Sequence, residues 1–303
     1  MKKLKRIENF ENLKLGLFVH FGLYSIAAKG EWYMHNEKVS AKEYNKLMPL
    51  FKVKKSFAKD IVKTAKKLGA KYIVLTTRHH DGFSLYNTNG LTNYDIMHTP
   101  TNRDLVKEFV TECNKQNILP FFYCTLIDWH NPLFTSDFDK YLEYLFNSIK
   151  LLCTNYGKIG GFWFDGTWYN QNINWQFDKL FALIRQYQPD AIICNNGGLE
   201  NRGEIIHPEI DSVIFERDLP YKASKLDNKY RAKEMCQAFN NHWGYCKTDK
   251  NYKTANTIYN DYKFCTKNNA NLLINVGPKA NGSIVYKEKV LINKLSKKIR
   301  NGE

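Results

Sequence analysis

Eight short apolar runs recur along this chain, and stretches with helical periodicity separate most of them. The runs are GLFVHFG (16–22), YIVLTTRHH (72–80), ILPFFYCTL (118–126), IGGFWFDG (159–166), AIICNN (191–196), SVIFER (212–217), a weaker MCQAFNN (235–241) and NLLINVG (271–277). Several are apolar on both faces, as strands are when helices cover a parallel sheet. Between them, 56–68, 103–116, 137–155, 174–187, 254–269 and 285–299 read as amphipathic helices; Leu105, Val106, Phe109 and Val110 form one such stripe. Alternating strands and helices imply parallel β/α units. Eight units in 303 residues imply an α/β fold of the (β/α)8, TIM-type barrel class. The 197–211 connection has little helical signal, so irregularity is expected around strands five and six. A doubly wound open sheet is the alternative, but its first strand is usually followed by a glycine-rich phosphate loop, and HFGLYS is not one.

Composition narrows the class. Hydrophobic residues make up 43% of the chain, enough for one large core, and no apolar run is long enough to span a bilayer. The N-terminal MKKLKRIENFENLKLG is basic but has no apolar segment behind it, so it does not read as a secretory signal. Seven scattered cysteines without a CxxC pair fit a reduced, cytoplasmic protein; Cys124, Cys194, Cys236 and Cys265 read as small core residues. The net charge of +15 raises the question of nucleic acid. Only eight of the 45 basic residues are Arg, the usual reader of bases and phosphates, and the lysines are spread over helix faces. Neither a nucleic-acid partner nor a membrane is expected.

The chemistry gathers where strands end. In a parallel barrel the carboxyl ends of the strands line the active site. His20, the pair His79 and His80, Tyr123, Trp163 with Asp165, and Glu216 occupy such ends, and Glu31 and Trp32 fall in the first β-to-α loop. Taken singly, each has a plainer reading: Asp165 as a turn or helix cap, His20 as a core histidine, Glu216 as half of a salt bridge with Arg217. Convergence on one mouth changes that. Indole faces stack on a pyranose, histidines and carboxylates meet its hydroxyls, and separate Asp and Glu residues allow acid–base work. Metal binding is not expected, because the histidines lack HxH and HExxH spacing and adjacent strand residues face opposite ways.

Taken in order, GLFVHFGLYS, GEWYMHNE, YIVLTTRHHDGFSLY, LIDWH, GFWFDG, NHWGY and NLLINVGP resemble the α-L-fucosidases of glycoside hydrolase family 29, across about residues 7–299. The resemblance implies a catalytic barrel and retaining removal of terminal α-L-fucose from fucosylated oligosaccharides or glycoconjugates, with no metal or organic cofactor. It implies that Asp165 is the nucleophile, that His20, Glu31, Trp32, His79, His80 and Tyr123 bind fucose or line its pocket, and that Trp163 is the aromatic beside the nucleophile. Glu216 is the choice for acid/base, with Glu200 and Glu234 as rivals. Many family members carry a β-sandwich after the barrel; here residues 1–303 read as the single barrel domain alone. A non-catalytic carbohydrate-binding protein on the same scaffold is the competing expectation.

Overall fold

The computed structural model describes residues 3–170, 172–221 and 223–302. Its strands are β1 (Leu15–Val19), β2 (Tyr72–Arg78), β3 (Leu119–Thr125), β4 (Gly161–Asp165), β5 (Ile192–Asn195), β6 (Ser212–Glu216), β7 (Ala232–Ala238) and β8 (Ala270–Val276). They pair in parallel in chain order and close into one barrel, β8 returning to β1 through Leu15↔Leu272 to Val19↔Val276. The long helices are α1 (Lys5–Glu11), α2 (Phe57–Leu68), α3 (Leu105–Lys115), α4 (Phe138–Thr154), α5 (Phe177–Tyr187), α6 (Ala255–Lys267) and α7 (Tyr286–Asn301). Three of them begin one residue after a side-chain cap. The Asp104, Asp137 and Thr254 oxygens accept the Lys107, Lys140 and Thr257 amides at 2.8, 3.2 and 3.1 Å. These caps set the α3, α4 and α6 starts slightly later than periodicity alone predicts.

Side chains fill the barrel interior. Phe18, Tyr72, Phe121, Tyr123 and Trp163 belong to one buried cluster. Gly161 keeps room for it, since a Cβ there would lie 2.6 Å from the Phe121 ring. Helix α1 plugs the end opposite the mouth, where Phe10 packs 5.5 Å from Tyr72 and 5.6 Å from Phe121. Above this plug, Glu234 is fully buried on β7 and accepts hydrogen bonds from the Tyr72 hydroxyl and, at 2.8 Å, the Trp163 indole. The seven cysteines are buried free thiols.

The barrel is irregular where expected, and over a longer stretch. Strands β5 and β6 pair only through Cys194↔Ser212 and Asn195↔Val213. Among the described residues no helix covers either the β5–β6 or the β6–β7 connection. Both polar atoms of the Asn195 side chain are buried without a partner at this seam, a cost that a continuous helix-covered ladder would not carry.

Buried Glu288, in the first turn of α7, accepts the Gly277 amide at 3.1 Å. Burial pushes its carboxyl up to about 8. A carboxyl raised in the fold contributes stability that is complete below its unfolded value, about 4.3, and is lost as pH rises through the folded value. Wild type is therefore expected to lose roughly 1 kcal/mol of this contribution per pH unit between those limits. Urea unfolding of wild type and Glu288→Gln should give matching stabilities near pH 4 and a clear advantage for the variant at pH 8.

Candidate active site

Strand β4 delivers Asp165 to the barrel mouth, and Gly166 turns the chain away with a φ of +100°. The carboxylate is only 8% exposed. Its Oδ1 accepts three hydrogen bonds, from the Gly166 amide at 2.8 Å, the Trp168 indole at 2.7 Å and the Asn196 amide at 3.2 Å. Its Oδ2 accepts one from the Tyr123 hydroxyl at 2.9 Å, and His80 Nε2 stands 3.6 Å away. Burial pushes the Asp165 carboxyl up, and the donors pull against that push.

Glu216 ends β6 on the same rim. Asn196 Nδ2 donates to its Oε2 at 2.8 Å, so one amide group bridges Asp165 and Glu216. Both accepting oxygens therefore lie within 3.2 Å of one nitrogen, which brings the two carboxylates together on the rim. Burial first, and then the Asp165 charge, raise the Glu216 carboxyl above its ordinary value. Neither rival is placed this way. Glu234 sits inside the barrel under Trp163, and Glu200 is exposed on the cavity rim.

The histidines are buried and neutral. The Asn275 amide donates to the Trp243 carbonyl at 2.7 Å, so Asn275 Oδ1 faces His20 Nδ1 and accepts its proton at 2.7 Å. That leaves His20 Nε2 as an acceptor. His80 Nδ1 likewise donates at 2.6 Å to the Thr125 hydroxyl, which spends its own hydrogen on the Ile127 carbonyl. Burial pushes both imidazoles down to about 3, so His80 and Asp165 do not form an ion pair. His79 is pushed well down by burial, and its Nδ1 is buried without a partner.

The expectation that adjacent histidines face opposite ways needs correction. Thr77 is an extra residue in β2: the register passes from Thr76↔Tyr123 directly to Arg78↔Cys124. This bulge turns Arg78 outward onto Tyr144, 5.2 Å from its ring, and brings His79 inward. His80 lies beyond the last ladder pair, where alternation no longer applies, so both histidines line the mouth.

A cavity of about 790 Å³ occupies this mouth. Its lining contains every residue selected from the sequence: His20, Glu31, Trp32, His79, His80, Tyr123, Trp163, Asp165 and Glu216. Two sit differently from a simple hydroxyl-binding picture. Tyr123 spends its hydroxyl on Asp165. Glu31 Oε2 accepts the Trp243 and Gly244 amides at 3.0 and 2.7 Å, which ties the loop after β1 to the loop after β7. Trp32 stacks on Trp168 with centroids 5.6 Å apart and continues onto Trp129 at 5.0 Å, an aromatic wall beside His80.

Sequence reasoning did not single out Asn196, Trp243 or Arg217 as site residues. Trp243 stacks on His20 at 5.3 Å. Arg217 lies 4.5 Å over the Trp243 ring and is held by the Asn240 and Asn241 carbonyls, with its backbone left-handed at φ 55°. Their positions just beyond strand ends were the available signal.

Fold and mouth together define a (β/α)8 barrel of the glycosidase type, with two nearby carboxylates set among indoles and neutral imidazoles. The Alpha-L-fucosidase family model matches residues 1–303, and the chain belongs to that family. It is similar to the tissue α-L-fucosidase of Bos taurus, 27% identical over 321 residues that cover 93% of this chain and 65% of the bovine protein. The Rattus norvegicus counterpart is 28% identical over 93% of this chain and 66% of its own length. The chain thus spans just under two thirds of these relatives. Among solved structures, α-L-fucosidase isoenzyme 1 from Paenibacillus thiaminolyticus superimposes with a TM-score of 0.88 at 33% identity, covering 98% of this chain and 76% of its own. An unliganded α-L-fucosidase from Lactobacillus casei gives 0.85 at 25% identity over 98% of each chain.

Replacing Glu31 by Ala leaves two amide donors without their carboxylate. Leaving buried donors unsatisfied costs roughly 1–3 kcal/mol. Chemical denaturation of Glu31→Ala is expected to show a loss of about that size, and a midpoint unchanged from wild type would refute the tie between the two loops.

Proposed function

We propose that this protein is a retaining exo-α-L-fucosidase that removes terminal α-L-fucose from fucosylated glycans through a covalent fucosyl-enzyme. The observation that carries this reading is the pair Asp165 and Glu216, bridged by one Asn196 nitrogen that donates to both carboxylates at 3.2 and 2.8 Å. Retaining glycosidases hold their two carboxyl groups roughly 5–5.5 Å apart. Family membership supplies the sugar.

The roles follow from the environments. Asp165 is the nucleophile. Its Oδ1 is engaged by three donors, so the less engaged Oδ2 is the attacking atom, and Oδ1 becomes the ester carbonyl oxygen. Attack on the anomeric carbon breaks its bond to the leaving oxygen as Glu216 gives that oxygen its proton. Glu216 then takes a proton from water, which attacks the same carbon and frees Asp165. The raised Glu216 carboxyl keeps it protonated to higher pH, as an acid catalyst requires. Neutral His20 Nε2 meets a sugar hydroxyl, His79 lines the same cavity, and the Trp32–Trp168 wall takes an apolar sugar face. Two carboxylates complete this chemistry without a cofactor.

A protein that only bound sugar would gain nothing from a second, half-buried carboxylate whose charge opposes the first. The reading includes a cytoplasmic setting, supported by seven buried free thiols that a reducing compartment would preserve. No helix among the described residues is long and apolar enough to cross a membrane.

The test is release of nitrophenol from 4-nitrophenyl α-L-fucoside. Wild type should turn over, and Asp165→Ala should lose activity by about a thousandfold or more. Azide should restore turnover in that variant and yield β-fucosyl azide. An Asp165→Ala protein with wild-type turnover would sink the mechanism. In Glu216→Ala, kcat/KM should lose its alkaline limb, because that limb is the loss of the Glu216 proton as pH rises.

A further inference from the structure

We propose that Asn196 is the positioning residue that fixes the spacing of Asp165 and Glu216 and lets one negative charge pass between them. This rests on the fucosidase reading above. Asn196 is 2% exposed and stands just beyond β5, between the strands that carry the two carboxylates. Its orientation is determined: Oδ1 accepts the Gly198 amide at 3.2 Å, so the NH2 group faces the carboxylates. Its backbone is locked as well, the amide donating to the Phe164 carbonyl at 3.0 Å and the carbonyl accepting the Thr167 hydroxyl at 3.1 Å.

The backbone does not hold Glu216 against Asp165. The β5–β6 ladder stops at Asn195↔Val213, before Glu216 is reached. What ties the end of β6 to the end of β4 across that gap is the Asn196 amide, with bonds of 3.2 Å to Asp165 and 2.8 Å to Glu216. The chemistry gives this bridge a second consequence. At rest Asp165 is ionised and Glu216 carries the proton. When the fucosyl-enzyme has formed, Asp165 is an uncharged ester, the proton has gone to the leaving oxygen, and Glu216 is ionised. The pair holds one negative charge before and after, moved from one carboxylate to the other. An amide that donates to both meets that charge at either end of the step without reorienting, as preorganised donors do.

Asn196 favours the ionised form of both carboxylates, so removing it raises both. The acid limb of the pH–rate bell marks ionisation of Asp165, and the alkaline limb marks loss of the Glu216 proton. Both limbs should therefore move to higher pH together. The assay is the pH dependence of kcat and kcat/KM for 4-nitrophenyl α-L-fucoside in wild type, Asn196→Ala and Asn196→Asp, with thermal melts alongside. Asn196→Ala is expected to lower kcat about a hundredfold, with KM within about threefold, and to displace both limbs upward. Asn196→Asp keeps an acceptor for the Gly198 amide and nearly the same shape, which guards against simple misfolding. It lacks the two donors and adds an anion, so it should displace the bell at least as far. Lower amplitude with unmoved limbs, or wild-type kcat in either variant, overturns the proposal while leaving the fucosidase reading intact. An inactive wild type overturns that reading, and this inference with it.

Discussion

Asp165 gives up most of its contact with water at the end of β4, and a buried carboxylate costs several kcal/mol unless other donors replace its hydration. The mouth of the barrel is organised around that replacement. Trp168, Gly166, Asn196 and Tyr123 supply the donors from three parts of the fold: the turn after β4, the end of β5 and the interior of β3. His80 lends no charge, because its own burial keeps it neutral. The site therefore holds an anion with dipoles rather than with a cation. This suits the nucleophile role proposed for Asp165, since an ion-paired carboxylate would resist becoming an ester.

The same economy runs through the deeper layers. Glu234 occupies the barrel interior under Trp163, where burial pushes its carboxyl up to about 7. The Tyr72 hydroxyl and the Trp163 indole both point at it. Trp163 stacks on Tyr123 at 5.5 Å, and Tyr123 holds Asp165. A chain of packed rings thus connects the plugged end of the barrel to Asp165 and fixes the Tyr123 hydroxyl where the carboxylate needs it. The histidine pair depends on a different device, the single extra residue at Thr77.

Much of this was legible in the sequence because it is local. Alternating apolar runs and amphipathic stretches encode the barrel, and polar residues after those runs mark its mouth. That logic found Asp165, Glu216 and the histidines, and it placed the weak seam at strands five and six. It did not find the bulge, because a register shift depends on how β2 meets β3 and not on any residue in TTRHH. It did not find the Glu31 tie to Trp243, which exists only once β8 has closed on β1 and brought residues more than two hundred positions apart together. Asn196 was hidden for a third reason. In AIICNN two asparagines stand side by side, and only the last turn of the strand decides that Asn195 is stranded in the seam while Asn196 reaches the carboxylates.

The uneven covering of the barrel wall divides the mouth into two halves of different character. Strands β1 to β4 carry the histidines, Tyr123 and Asp165 and are backed by α2, α3 and α4. Glu216 and the rim segment 197–201 belong to the sector that long loops cover instead. Loops tolerate insertion and sequence drift far better than laddered, helix-backed strands. Within a lineage built on this plan, selection can rework what the rim admits by editing those loops, while the helix-backed half of the mouth stays unchanged.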